Sequence, residues 1–204
     1  TFAALGVYGE SVITSVVAEN TCRGFSRQDI SPEMVTAQLD AVYQDYRIHP
    51  VNLKETVLSV IRMEKRHLIQ CGVQIDLQMD PVLVSTDEKW VEFILKQLFS
   101  NSMKYRRETG PRITVRAKMG EKQKSLIVED NGCGIAPEDR RRIFDKGFTG
   151  KNGRQENSRA TGMGLYLSRK LCEKLGIGIA CESEPGAYTR MILTFPDSDY
   201  HSLE

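Results

Sequence analysis

The sequence predicts an α/β fold, a two-layer sandwich in which helices cover one face of a mixed β-sheet. Three observations lead to it. Residues 73–79 alternate strictly between apolar and polar, the period of two that a half-buried strand shows. Residues 53–68 instead place Leu53, Val57, Val60, Ile61 and Leu68 on one stripe, with the 3.6-residue period of a helix lying on a core. Segments of the two kinds follow one another as helix, strands, helix, strands, loop, helix and hairpin, which is a layered order.

Residues 1–31 carry weak signals and receive no role. Pro32 suits a first helical turn, where its missing N–H costs nothing, and it opens a helix with Met34, Val35, Leu39 and Val42 near one face. His49 ends that segment, because a residue before proline avoids the α region. Asn52 then caps a second helix that runs to Gly72. Residues 73–79 and 82–84 read as strands. Thr86 or Asp87 starts a long helix through Tyr105, with Trp90, Phe93, Ile94, Leu98 and Phe99 as its apolar face. Residues 113–119 and 125–128 form a strand hairpin, and Pro137 opens a short helix to Phe144. Residues 145–161 hold Gly147, Gly150 and Gly153 with no apolar period, the composition of a mobile loop. A helix over 162–175 stops at Gly176, and 177–184 and 188–195 flank a Pro-Gly turn as a last hairpin. The domain organisation is an N-terminal segment over 1–50, one domain over 51–196 and a tail over 197–204.

Bulk properties narrow the function classes. The 204 residues suffice for one substantial core, and 40% hydrophobic with 27% charged residues is ordinary for a soluble domain. A net charge of +1 argues against nucleic acid as a partner, since a duplex footprint needs a strongly basic face. Five cysteines (22, 71, 133, 172 and 181) form no CxxC pair and no zinc-spaced cluster, so they read as reduced thiols in a cytosolic setting. No run approaches the ~20 apolar residues of a membrane helix. The early apolar stretch is broken by Gly6, Gly9 and Glu10 and lacks a basic leader, unlike a signal peptide.

Chemistry concentrates in three places. Asp130-Asn-Gly-Cys-Gly-Ile135 directly follows an apolar strand. A carboxylate at a strand end can accept from an exocyclic amine such as the adenine N6, and Gly132 and Gly134 let backbone approach a flat ring. Gly162-Met-Gly-Leu165 opens a helix after Thr161, and amides at a helix N-terminus favour phosphate. The preceding loop holds Lys146, Lys151, Arg154 and Arg159 against Asp145 and Glu156, a local basic excess. Neither glycine pair belongs to a GxxxxGK[ST] or complete GxGxxG motif. Late in the long helix lie Asn101, whose amide oxygen suits Mg²⁺, then Lys104 for phosphate and Tyr105 for the edge of a base. Each motif alone has a bland counterpart: a common turn, a charged loop, a helix end. Their order along one chain is what singles them out.

That ordered set of Asn101, Asp130 with Gly132 and Gly134, Phe144 and Phe148, then Gly162 and Gly164, resembles the nucleotide boxes of sensor histidine kinases. These sit within a superfamily shared with gyrase, Hsp90 and MutL. The resemblance spans residues 51–196 and implies a Bergerat-type α/β sandwich with ATP under a flexible lid. Carried over by position, it implies Asn101 as the magnesium ligand and Asp130 as the adenine-reading acid. Gly132, Gly134, Gly162 and Gly164 match pocket glycines; Lys104, Tyr105, Ile135, Phe148, Lys151, Thr161 and Leu165 match nucleotide contacts. The run from Lys146 to Arg154, with Ala160 to Leu167, is similar to that of bacitracin-type, antimicrobial-peptide-sensing intramembrane kinases.

The resemblance implies an ATP- and Mg²⁺-dependent transfer to a histidine. His49, His67 and His201 do not fit the His-Glu-x-x-x-Pro acceptor pattern, so the acceptor is expected upstream, in a dimerisation domain of the full-length protein. No residue of this chain is assigned a catalytic role. The implied partners are that acceptor domain, a second copy in a homodimer, and a response regulator. The membrane enters only through an upstream segment. Gln97 stands where hydrolysing members of the superfamily place a glutamate, and glutamine is no general base. Transfer is therefore expected over hydrolysis. The alternatives are a conformational ATPase of the gyrase or Hsp90 sort, and an anti-sigma-type serine kinase or nucleotide-binding regulatory module.

Overall fold

The structure, a computed structural model, describes residues 47–121, 123–150 and 162–196. All described elements lie in the unit Ile48–Glu204. The helix expected from Pro32 and the tail over 197–204 fall outside the described residues.

Three helices and two sheets make up the fold of the described residues. A short strand β1 (His49–Asn52) leads into helix α1 (Leu53–Gln70), followed by strands β2 (Gln74–Gln78) and β3 (Leu83–Thr86) and the long helix α2 (Glu88–Lys104). Strands β4 (Arg112–Met119) and β5 (Gln123–Asp130), helix α3 (Gly164–Leu175) and strands β6 (Gly178–Glu184) and β7 (Tyr188–Pro196) complete it. The main sheet has five strands in the order β2-β4-β5-β7-β6, while β1 and β3 pair as a separate two-stranded sheet. Only the β2–β4 pair is parallel, so the sheet is mixed, as expected.

Local chemistry explains the helix starts. Asn52 Oδ1 accepts from the Lys54 amide at 3.1 Å, and Asp87 Oδ1 from the Trp90 amide at 3.3 Å, so each satisfies one orphan donor of the first turn. Of the two caps open for α2, Asp87 serves, and Thr86 instead closes β3. Three expectations need correction. His49–Asn52 is a strand, because an extended pre-proline segment can pair with β3. Residues 137–144 are a chain of overlapping turns, mixing three- and four-residue bonds such as Asp139 N to Ala136 O and Ile143 N to Asp139 O. Helix α3 begins at Gly164, since Gly162 has φ +64°, outside any right-handed helix.

The register puts Ile113 and Val115, Leu126 and Val128, and Met191, Leu193 and Phe195 on one sheet face. All are buried. Helix α2 packs against both α1 and α3, and Ile94, Leu98 and Phe99 are at most 2% exposed. The opposite face is different. There Glu129 accepts from Arg116 and Arg190 at 2.6 Å each, and Arg190 reaches Glu182 at 2.6 Å, a charge ladder across four strands. Ile127, opposite Arg116 and Ile192 on that face, is only 4% exposed. Long charged side chains bury apolar stems in this way.

Phe99→Ala should cost about 3–5 kcal/mol through a cavity in the core, whereas Glu129→Ala should cost about 1 kcal/mol or less, since half-exposed ion pairs contribute little. Urea unfolding of both variants checks the contrast. Equal losses would mean the charged face bears more of the stability than its exposure allows.

Candidate functional site

The last turns of α2, the end of β5 and the first turn of α3 enclose a cavity of about 430 Å³, within the range of small-molecule pockets. Asn101, Lys104 and Tyr105 line it from α2 and the residue that follows it. Asp130, Gly134 and Ile135 line it from the end of β5, and Phe148, Gly162, Gly164 and Leu165 from the far side. Ten of the residues singled out in the sequence thus meet in one space. Gly132 does not line it, and Lys151 and Thr161 fall outside the described residues.

Asp130 is a buried carboxylate, 8% exposed. Ser102 Oγ donates to its Oδ2 at 2.7 Å, and the Gly132 amide donates to its Oδ1 at 3.0 Å. Burial raises the pKa of Asp130, and the Ser102 and Gly132 bonds pull in the opposite direction. Gly132 therefore acts from behind the carboxylate. A Cβ there would stand 2.4 Å from the Tyr105 carbonyl oxygen.

The backbone ties these pieces together. The Cys133 amide donates to Tyr105 O at 3.0 Å, and the Gly186 amide to Cys133 O at 2.8 Å. Ser183 Oγ accepts from the Ile135 amide at 2.8 Å. Arg107 Nε donates to Asn131 O, and Asn131 Oδ1 accepts from the Arg112 amide at 2.8 Å. Gly134, at φ +66°, sits so close to the β6–β7 turn that a Cβ would meet Glu184 O at 2.1 Å. A Cβ on Gly162 would meet the Gly147 carbonyl carbon at 2.4 Å, so the start of α3 is pressed on the turn that carries Phe148. Arg142 lies over the Phe148 ring, 4.6 Å from its centroid.

At the cavity's other end α3 begins without a side-chain cap bond from Met163, and the amides of a helix N-terminus favour an anion. A buried acceptor at one end and helix amides at the other suit a ligand with an amine-bearing flat head and an anionic tail. Lys104 adds a cation, and Asn101 an amide oxygen.

Other lining residues had weaker signals. Gln97 lies one helical turn before Asn101, and Gly164 packs on it so closely that a Cβ would stand 2.6 Å from Gln97 Oε1. Ser102 looked like an ordinary helix residue. Thr189 and Met191 reach the cavity from β7, where they stand opposite Asp130 and Val128. That pairing joins segments far apart in sequence, and no local pattern announces it.

A family model described as Histidine kinase-, DNA gyrase B-, and HSP90-like ATPase matches residues 86–199, more than half of the chain. A second model, phosphomethylpyrimidine kinase, matches residues 1–100, under half, and its described part is built into the same sandwich. Sensor protein BceS of Halalkalibacterium halodurans is 40% identical over 152 residues, 74% of this chain and 45% of that protein. BceS of Bacillus subtilis is 36% identical over 159 residues, 78% of this chain and 47% of that protein. Sensor histidine kinase GraS of Staphylococcus haemolyticus is 33% identical over 169 residues, 82% of this chain and 48% of that protein. The chain thus spans about half the length of the curated relatives it matches. Among solved structures, the catalytic domain of histidine kinase ThkA superposes with a TM-score of 0.63 at 21% identity, over 74% of this chain and 97% of that one. Acinetobacter baumannii histidine kinase AdeS gives 0.63 at 16% identity, over 93% and 97%. At such identities the likeness shows the fold, the α/β sandwich of histidine kinase catalytic domains.

The glycine contacts generate a controlled comparison. Gly110 and Gly134 both have positive φ, but a Cβ on Gly110 meets nothing within 4 Å. Gly110→Ala should cost roughly 1–2 kcal/mol from backbone conformation alone. Gly134→Ala should cost about 1–3 kcal/mol more, from displacement of the β6–β7 turn. Chemical denaturation measures both, and equal costs would contradict the close approach to Glu184.

Proposed function

The chain belongs to the family of histidine kinase-, DNA gyrase B- and HSP90-like ATPases, and we propose that it is the ATP-binding catalytic domain of a two-component sensor histidine kinase. The observation that carries the reading is the buried Asp130 carboxylate, held by Ser102 and Gly132 at one end of a cavity whose other end is the N-terminus of α3. In this reading Asp130 accepts from the adenine N6 amine. Tyr105, Ile135, Phe148 and Leu165 wall the base and sugar. Gly162, Gly164 and the α3 amides take phosphate oxygens, with Lys104, Lys151 and Thr161 contributing charge and hydrogen bonds.

The donor set also fits magnesium. No group of three or more His, Cys, Asp or Glu among the described residues could hold a metal ion. A single amide oxygen, Asn101, beside an anion site matches an ion that keeps waters and takes its other ligands from phosphates. When bound, Mg²⁺ would supply charge neutralisation on the phosphate oxygens.

The reaction needs little covalent chemistry from this chain. An acceptor imidazole is already a nucleophile: its nitrogen bonds to the γ-phosphorus as the bond to the ADP oxygen breaks. The protein's work is to orient ATP and to offset charge. Gln97, in the cavity wall, has no basic group with which to activate water. That favours transfer over hydrolysis and disfavours a conformational ATPase of the gyrase or Hsp90 sort. His49 and His67 do not line the cavity, and the acceptor histidine is assigned to a dimerisation domain that presents it from outside this chain. The full-length protein then works as a homodimer, held at the bacterial membrane, and passes phosphate on to a response regulator. No described helix is long and apolar enough to cross a membrane; in this reading the anchor belongs to an upstream segment of the full-length protein.

Two variants test the reading. Asp130→Asn should weaken ATP binding by roughly 10- to 100-fold, the usual loss when a charged acceptor is removed, with the melting temperature retained; unchanged affinity by calorimetry would overturn the pocket assignment. Asn101→Asp should keep nucleotide but lose Mg²⁺-dependent transfer, read as labelled phosphate on a supplied acceptor domain. Undiminished transfer would remove Asn101 from the metal site.

A further inference from the structure

Ser102 is the residue of the site whose role neither its position nor its type announces. It lies in α2 beside Asn101 and is 6% exposed, within a helix whose carbonyls could absorb its hydroxyl. Two other helix-borne hydroxyls turn back on their own backbone. Ser168 Oγ donates to Gly164 O at 3.0 Å, and Thr56 Oγ1 to Asn52 O at 3.1 Å, each four residues earlier. Ser102 reaches across instead, to Asp130 Oδ2 at 2.7 Å, the shorter of the two bonds that carboxylate receives from Ser102 and Gly132.

From this geometry we infer that Ser102 is a positioning residue, which locks the Asp130 carboxylate as a hydrogen-bond acceptor and so makes the base end of the cavity select a 6-amino purine over a 6-oxo purine. The inference rests on the adenine-reading role proposed for Asp130. With one oxygen tied to α2 and the other to the Gly132 amide, the carboxylate plane cannot rotate. Its remaining lone pairs are then the acceptors offered to a ligand, and Ser102 and Asp130 both line the cavity.

The hydroxyl also sets what the carboxylate is. Burial favours its protonated form, and among the influences that oppose burial the Ser102 bond comes first, ahead of the Gly132 and Thr189 amides. The other titratable groups around it do not replace that bond. Glu129, its neighbour on β5, favours protonation, and Cys181 on β6 is pushed up to about 11 by burial and stays neutral. From α2 and the residue after it, Lys104 and Tyr105 share the cavity, as do Glu138 and Asp139 from the turns after Pro137. A carboxylate that has lost Ser102 takes up a proton at higher pH. As a carboxylic acid it donates, and the 6-oxo group of hypoxanthine becomes an acceptable partner.

The test uses the 204-residue chain, as wild type, Ser102→Ala and Ser102→Cys. Carbon-13 NMR of the Asp130 carboxyl, without nucleotide, should give a higher titration midpoint in Ser102→Ala than in wild type. Calorimetry with ATP and with inosine triphosphate should show the preference for ATP falling about tenfold in Ser102→Ala, the scale of a hydrogen bond to a charged group. The fall should be larger at low pH. Ser102→Cys, with a weak S–H donor in similar space, should lie between, and it keeps the test alive if the alanine variant does not fold. An unchanged Asp130 titration, or an unchanged ATP preference in a variant that still binds, overturns the inference. If wild type binds neither nucleotide, the adenine reading fails, and the titration still decides whether Ser102 governs Asp130.

Discussion

The structure turns on a carboxylate that is taken out of water at the end of β5. An ionised group at 8% exposure is costly unless donors surround it, and here they come from different elements: a helix hydroxyl, a loop amide and the neighbouring strand. Satisfying Asp130 therefore dictates where α2 sits on the sheet and how the chain leaves β5. The same requirement places Asn101, one residue from Ser102, on the rim of the same cavity.

The loop after Asp130 shows how little freedom remains once that carboxylate is placed. Asn131 joins β5 to the Gly110–Arg112 connection through its side chain, accepting from the Arg112 amide at 2.8 Å and donating to Gly110 O at 2.9 Å. Gly132 then passes against the Tyr105 carbonyl, and Gly134 against Glu184, where no side chain fits. Backbone packed on backbone at these points gives the cavity a rigid floor. On the far side of the cavity Gly162 is pressed against Gly147, where a Cβ would also find no room. A rigid floor of this kind suits the flat head of a ligand.

Sheet and site have opposite economies. The covered face of the sheet is apolar and dense, and its helices supply the driving force of folding. The other face spends its polar residues on a ladder of arginines and glutamates that contributes little energy but keeps four strands wettable. Asp130 lies on the covered face, at the one end where the helices leave room, and its chemistry depends on that position.

Much of this was legible in the sequence. Helices and strands follow from apolar periodicity, a property of neighbouring residues, and so do the caps Asn52 and Asp87. The candidate site was legible because a strand-end aspartate, a late-helix asparagine and paired glycines stand in one order along the chain, the order that resembles the nucleotide boxes of sensor histidine kinases. Periodicity could not distinguish the turns over 137–144 from a helix, because Pro137 and the following charged residues suit the first turn of either. Nor could it find β1, which is a strand only because β3 lies alongside. Tertiary structure alone decided that β5 lies between β4 and β7, that Thr189 faces Asp130, and that Ser102 turns away from its own helix. Those are contacts between distant segments, chosen by which arrangement buries a whole apolar face while surrounding the Asp130 carboxylate with donors, and no stretch of local sequence contains that choice.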